Sequence, residues 1–212
     1  MKATAIILAA GESRRMGVPK ALLAAADGHT FVSHLAATFV EAGAAPLVVT
    51  GKHAAEIAAA HPWLPMVVNE EWPDGQWSSV KAGLRAALAA GATHVLIHPV
   101  DIPAISVSTV RAVLDALAHH AAVVVHHAGT PAHPLGLSAE AACQVLRARA
   151  QTLEKATGAL SLHALQVNDA AVIDNLNTPE AYSRRFGHNP APGVTGGPAS
   201  EIRGRSRKAN EP

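Results

Sequence analysis

Five short apolar runs recur along this chain without the polar alternation of a half-buried strand. They are Ala5-Ile6-Ile7-Leu8-Ala9, Pro46-Leu47-Val48-Val49-Thr50, Met66-Val67-Val68, His94-Val95-Leu96-Ile97-His98 and Ala122-Val123-Val124-Val125-His126. A strand that is apolar on both sides must be covered on both sides, which is the condition of a parallel sheet held between two layers of helices. The intervening stretches supply the covering layers. Residues 31–41 place Phe31, Val32, Leu35, Phe39 and Val40 near helical spacing and stop at Gly43. Residues 54–60, 78–90, 106–119 and 138–151 read as further helices, with Ser106 or Ser108 and then Ser138 as caps. The expected fold is α/β: a three-layer α/β/α arrangement with a mostly parallel, Rossmann-like sheet.

Composition agrees with a folded core and narrows its chemistry. Hydrophobic residues make up 49% and charged residues 16%, while aromatics are only 3%, so the core must be built from Ala, Val, Leu and Ile. No apolar run reaches the roughly 18–20 residues of a membrane helix, and the first residues are too short for a secretory h-region. Cys143 is the only cysteine, which excludes an internal disulfide and a cysteine-built zinc site. A cytoplasmic domain of enzyme size is expected. The formal net charge is +1, but the last 26 residues carry a net +2 and the rest a net −1. Segment 187–212 is Gly/Pro-rich, basic and nearly devoid of large apolar side chains, so it reads as a disordered tail after a single domain at 1–186. With the basic excess in that segment, no nucleic-acid surface is expected on the fold. The pairs His119-His120 and His126-His127 do not read as a metal site, because adjacent strand residues face opposite sides.

Open α/β sheets bind ligands beyond the carboxyl ends of their strands, which directs attention to residues 11–20, 69–79 and 99–103. The first of these follows Leu8-Ala9-Ala10 and reads Gly11-Glu12-Ser13-Arg14-Arg15-Met16-Gly17-Val18-Pro19-Lys20. Small residues at a strand end let a charged ligand approach the backbone, and successive N–H groups in a turn can cradle phosphate oxygens. Arg15 and Lys20 put two cations within reach of one polyphosphate. The glycine spacing fits neither the dinucleotide fingerprint nor a Walker A loop.

The string from Leu8 to Lys20 resembles the signature Leu-Ala-Ala/Gly-Gly-x-Ser-x-Arg-Met-Gly-x-x-Lys of the MobA-like nucleoside triphosphate transferases. The resemblance continues along most of the chain. Asn69-Glu70-Glu71-Trp72-Pro73-Asp74-Gly75-Gln76-Trp77-Ser78-Ser79 is similar to the family's Asn…Trp…Gly-x-x-Ser-Ser segment, and Asp101-Ile102-Pro103 to its Asp-x-Pro metal loop. His133-Pro134 resembles a Gly-His-Pro motif with Ala132 in place of the glycine. Asp174-Asn175-Leu176-Asn177-Thr178-Pro179-Glu180 resembles the closing Asp/Asn-x-Asp/Asn-Thr-Pro-Glu motif. Residues 150–158 do not match the Gly-Asp-x-Gly-Ala-Arg-like stretch of many cytidylyltransferases in the group.

The resemblance implies a nucleotidyltransferase of GT-A-like fold with Mg²⁺ as cofactor, taking a nucleoside triphosphate and a phosphorylated small-molecule acceptor. Arg15, Lys20 and Asp101 are then the catalytic residues, and Asp101 and Asn177 the metal ligands. Leu8, Ala9, Ala10, Gly11, Arg15, Lys20, Asn69, Gly75, Ser78 and Ser79 would bind the nucleotide, and Trp77 and His133 the acceptor. The expected activity is that of a molybdenum-cofactor cytidylyltransferase. CTP is favoured because Ala10 and Pro19 replace a glycine and an aspartate of the resembling guanylyltransferases. A molybdoenzyme or chaperone partner fits the same class.

Each residue also has a plain structural reading. Asp101 can be a turn residue, Asn177 a helix cap, Trp77 a packed aromatic, Ser78 and Ser79 caps, and His133 a turn histidine. At the level of function, a sugar phosphate or other phosphorylated metabolite as acceptor, or a nucleotide-binding module without turnover, stand as alternatives.

Overall fold

The computed structural model describes residues 1–195. Its centre is β1 (Ala3–Ala9), whose seven residues are all buried. Parallel to it on one side runs β2 (Ala44–Thr50), followed outward by β3 (Met66–Val68), and on the other side runs β4 (His94–Pro99). Beyond β4 come β6 (Thr130–Ser138), β5 (Ala122–His127) and β7 (His163–Gln166), completing the order β3-β2-β1-β4-β6-β5-β7. Strand β6 is antiparallel to both of its neighbours, and every other pairing is parallel.

Alternate residues of β1 feed two separate cores. Ala3, Ala5, Ile7 and Ala9 pack with Phe31, Leu35 and Phe39 of α1 (Phe31–Ala42) and Val110 and Val113 of α4 (Val107–Leu117). Ile6 and Leu8 pack with Val80 and Leu84 of α3 (Gln76–Ala89) and Ala141 and Val145 of α5 (Ala139–Arg147). This is the three-layer arrangement that the apolar runs require. Ser106 and Ser138 cap their helices as expected and Gly43 closes α1 at φ 101°; Thr30 caps α1 in the same way, each accepting from the backbone N–H three residues on. Gly83 lets α3 lie close on the sheet, since a Cβ there would fall 2.5 Å from Ile6 Cγ2. No helix among the described residues is long and apolar enough to cross a membrane.

Three elements depart from the sequence expectation. The helix expected over 138–151 ends at Arg147, and a separate α6 (Leu153–Thr157) starts from a Thr152 cap. Strand β6 was not expected, because Pro131, Pro134 and Gly136 interrupt its pattern. It is admitted to the sheet interior by a bulge: Val124 faces Leu135 while Val125 faces Ala132, so His133 and Pro134 have no pairing partner on β5. The β5–β6 turn uses positive φ at both Ala128 and Gly129, as a two-residue hairpin turn demands.

The third departure concerns the chain after α7 (Pro179–Phe186). Residues 187–195, beyond the expected boundary at 186, dock onto the loop between β1 and α1. The Ala24 N–H donates to the Ala191 carbonyl at 2.9 Å, Gly193 N–H to Leu22 at 2.9 Å and Val194 N–H to Gly28 at 2.8 Å. Gly193 packs so tightly that a Cβ would meet the His29 backbone carbon at 2.6 Å. Low apolar content was a poor guide, because backbone hydrogen bonds rather than side-chain burial hold this segment. The remainder of the expected tail, 196–212, lies outside the described residues. Ending the chain at Phe186 removes those three hydrogen bonds, at roughly 0.5–1.5 kcal/mol each. We expect a loss of about 2–4 kcal/mol relative to the full chain, measured by urea unfolding.

Candidate active site

The strand order reverses direction at β1, with β2 on one side and β4 on the other, and the loops leaving β1 and β4 open a cleft there. A cavity of about 540 Å³ occupies it. Its lining includes Leu8, Ala9, Ala10, Gly11, Lys20, Gly75, Ser79, Asp101, His133 and Asn177. Arg15 opens instead onto an adjoining recess of about 290 Å³, shared with Gly11, Lys20 and Asn177.

The loop after β1 is held in shape by its own side chains. Ser13 adopts a positive φ of 55°, its carbonyl accepts from the Met16 N–H at 2.9 Å, and its Oγ accepts from the Lys20 N–H at 3.0 Å. Met16 is buried beneath the loop. From α2 (Ala54–Ala60) comes a further brace: His53, at its cap, donates from Nε2 to the Glu12 carbonyl at 3.1 Å. Gly51 lies so close that a Cβ would meet the Ala10 carbonyl oxygen at 2.7 Å. Neither Ser13, His53 nor Gly51 was singled out by sequence, although the serine of the first motif was a usable signal.

Lys20 then reaches across the cleft. Its ammonium donates to Asp101 Oδ2 at 2.9 Å and also to Asn177 Oδ1. The loops bearing those two acceptors are fastened together, since the Leu176 N–H donates to the Asp101 carbonyl at 2.8 Å. Behind them, the Asp169 carboxylate accepts from Ser106 N–H and Oγ, from Thr109 Oγ1 and from the Ala171 N–H. Burial works against that charge, but hydrogen bonds from Thr109 and Ser106 prevail and hold the Asp169 carboxyl below its usual range. Asp101 and Asn177 thus meet although 76 residues separate them.

Two histidines adjoin this point. His98 is fully buried, donates from Nε2 to the Ile102 carbonyl at 2.8 Å, and so staples the turn that presents Asp101. Burial, with the neighbouring His133, pushes its pKa down to about 3 against the opposing Ile102 hydrogen bond. His133 projects from the β6 bulge onto the cavity wall, its Nδ1 buried without a hydrogen-bond partner. Burial lowers its pKa too, against the Ile97 carbonyl and the Asp101 charge.

Three expected site residues lie elsewhere. Asn69 and Ser78 are buried and bonded to each other: Asn69 Nδ2 donates to Ser78 Oγ at 2.8 Å and to Ser79 Oγ at 3.0 Å. Asn69 Oδ1 also accepts from the Glu71 N–H at 3.1 Å. Neither lines the cavity. They brace the turn that carries Trp72 and Gly75, and only Ser79 of this group reaches the wall. Trp77 packs against the core cluster of α3 and α5, because the second residue of α3 faces inward. The aromatic on the cavity is Trp72, with the Lys52 ammonium 5.9 Å from its ring centre.

For a metal, the available donors are hard oxygens: the Asp101 carboxylate and the Asn177 amide oxygen, with Asn175 also on the cavity. Asp101 Oδ1 is buried and has no hydrogen-bond partner. A hard divalent cation suits that unsatisfied atom, because it prefers oxygen and completes its shell with phosphate and water. No group of three His, Cys, Asp or Glu side chains able to hold a metal occurs among the described residues, so a cation here relies on its substrate for the remaining ligands.

A cleft with a backbone-rich loop, two cations and one carboxylate at the carboxyl edge of a parallel sheet defines a nucleotidyltransferase class of site. Residues 5–169 match the model of the MobA-like NTP transferase domain, and the chain belongs to that family. Over 194 residues it is 32% identical to a molybdenum cofactor guanylyltransferase of Xanthomonas euvesicatoria pv. vesicatoria, spanning 88% of this chain and 96% of that one. It is 38% identical over 115 residues to a nicotine blue oxidoreductase of Paenarthrobacter nicotinovorans, covering 52% and 55% of the two chains. Among solved structures it resembles Rv0371c of Mycobacterium tuberculosis H37Rv, at 26% identity and a TM-score of 0.75, over 89% of this chain and 98% of that one. That protein has also been solved as a complex with manganese.

The His98 staple predicts a pH effect on stability. The folded chain keeps His98 neutral down to about pH 3, whereas an unfolded histidine takes up a proton below about 6.5. Stability from this residue is therefore complete above pH 6.5 and falls by about 1.4 kcal/mol per pH unit as the pH drops below it. Urea unfolding at pH 7, 6 and 5 should show that slope reduced by this amount in His98→Phe.

Proposed function

We propose that this chain transfers a nucleoside monophosphate from a nucleoside triphosphate to a phosphorylated acceptor, molybdopterin, with release of pyrophosphate in a Mg²⁺-dependent reaction. The observation that carries the reading is the convergence of Lys20, Asp101 and Asn177 at the mouth of the loop after β1. An acceptor phosphate is already anionic at neutral pH, so no side chain must act as nucleophile or base. Its oxygen attacks the α-phosphorus, the bond from the α-phosphorus to the bridging oxygen breaks, and the electron pair leaves with pyrophosphate. What remains for the protein is positioning and charge neutralisation.

The chain's residues divide that work. N–H groups around Gly11 receive phosphate oxygens, while Lys20, and Arg15 from its recess, offset the charge growing on the leaving group. Asp101 and Asn177 would hold the cation, whose contribution when bound is to neutralise and align the phosphates. His133 stands at the acceptor end, its pKa lowered by burial. Asp101→Asn keeps the shape and removes the charge, so we expect it to fold normally and lose pyrophosphate release by about 10²–10³-fold. Near-normal release in that variant would remove Asp101 from the reaction.

For the base, the residues favour CTP. Ala10 sits in the cavity wall and is backed by Gly51, so its methyl has little freedom to withdraw. Pro19 lines the same cavity and offers neither a carboxylate nor an N–H. Both features favour the smaller pyrimidine. The similarity to a named guanylyltransferase supports GTP as the second reading. Comparison of kcat/KM decides: a CTP preference of about tenfold or more is expected from a steric wall, and equal or better use of GTP selects the second reading.

A further inference from the structure

The lysine that the proposed reaction gives to phosphate is bonded in this structure to the same two side chains that the reaction gives to the metal. Lys20 Nζ lies 2.9 Å from Asp101 Oδ2 and also bonds Asn177 Oδ1. We propose that Lys20 guards the carboxylate against free cations, so that the site takes its metal as the metal–triphosphate chelate. This inference rests on the metal site of the preceding reading.

The argument is electrostatic and geometric. The side chains of Lys20 and Asp101 are 18% and 15% exposed, so solvent and salt screen this pair less than a surface pair. The ammonium covers one carboxylate oxygen and the amide oxygen together, which leaves Asp101 Oδ1 as the one uncommitted oxygen of these two side chains. A divalent ion arriving alone therefore meets one oxygen atom and an adjacent positive charge. To gain more ligands it must separate Lys20 from Asp101, and a free metal ion offers the ammonium no acceptor in exchange.

A triphosphate changes both sides of that balance. Its oxygens give Lys20 new anionic partners next to Gly11, on the wall from which the lysine springs. They also complete the shell that one carboxylate and one amide cannot. Lys20 then exchanges Asp101 for phosphate, and Asp101 and Asn177 become available to the cation in the same event. Coupling of this kind is reciprocal, so nucleotide must tighten metal binding by the factor with which metal tightens nucleotide binding.

Binding of Mn²⁺ alone, followed by loss of the free-ion electron paramagnetic resonance signal, tests the guard without turnover. Lys20→Met keeps the length and removes the charge, and should bind Mn²⁺ at least tenfold more tightly than the wild type. Lys20→Arg keeps the charge and should bind it as weakly as the wild type. In the wild type, a CTP analogue with a methylene bridge between its α- and β-phosphates should bind at least tenfold more tightly with saturating Mn²⁺ than with chelator, and the ratio should shrink in Lys20→Met. Unchanged or weaker Mn²⁺ binding by a Lys20→Met protein with a wild-type circular dichroism spectrum overturns the guard and leaves the transfer reaction standing. Binding of Mn²⁺ that survives Asp101→Asn overturns the metal site itself, and with it both readings.

Discussion

The parallel pairing of β1 with β4 is the constraint on which the site depends. Register sets Leu8 opposite Pro99, so the loop carrying Lys20 and the turn carrying Asp101 leave the sheet side by side. The pairing is secured by burial on both faces, with Ile7 in one core and Ile6 and Leu8 in the other. A slip of one residue would exchange these faces and carry the phosphate loop out of line with the carboxylate. The site is thus as precise as the packing of Ile6, Ile7 and Leu8 against α1 and α3.

Around that pairing, the cleft is closed by parts of the chain that are remote in sequence. The Asp169 carboxylate ties the turn after β7 to the start of α4, and the Leu176 N–H carries the restraint on to Asp101. At the opposite end, residues 191–194 bond to the segment that follows Lys20. Tyr182 adds to this by donating to the Ala24 carbonyl at 2.9 Å. Residues 169–194 therefore act largely as a frame for the loops after β1 and β4.

The chemistry this frame supports is economical in side chains. Two cations, one carboxylate and a few amide groups suffice when nucleophile and leaving group are both phosphates. The unpartnered Oδ1 of Asp101 and Nδ1 of His133 are tolerable in a buried wall because a ligand can satisfy them. In the guard we propose, the Lys20–Asp101 pair also ties metal entry to nucleotide entry through competition for one carboxylate.

Much of this was legible in the sequence. Doubly apolar runs required a covered parallel sheet, Ser106, Ser138 and Gly43 marked helix ends, and the strand-end rule directed attention to the loops holding Lys20 and Asp101. Local chemistry determines such features, since burial on both faces and capping depend on neighbours in the chain. What only tertiary structure decided was which polar residue lines the cavity and which is spent on other protein groups. Asn69 and Ser78 look like ligands but satisfy each other, because a buried turn must find partners for its polar groups. Trp77, expected at the acceptor, packs toward the core because of the helical phase at the start of α3, and Trp72 from the preceding turn lines the cleft instead. Strand β6 was hidden by its prolines: the bulge lets β5 skip Pro134, while Pro131 is paired with His126. The docking of residues 191–194 was hidden because its backbone hydrogen bonds have no signature in side-chain type, and only the folded chain brings donor and acceptor together.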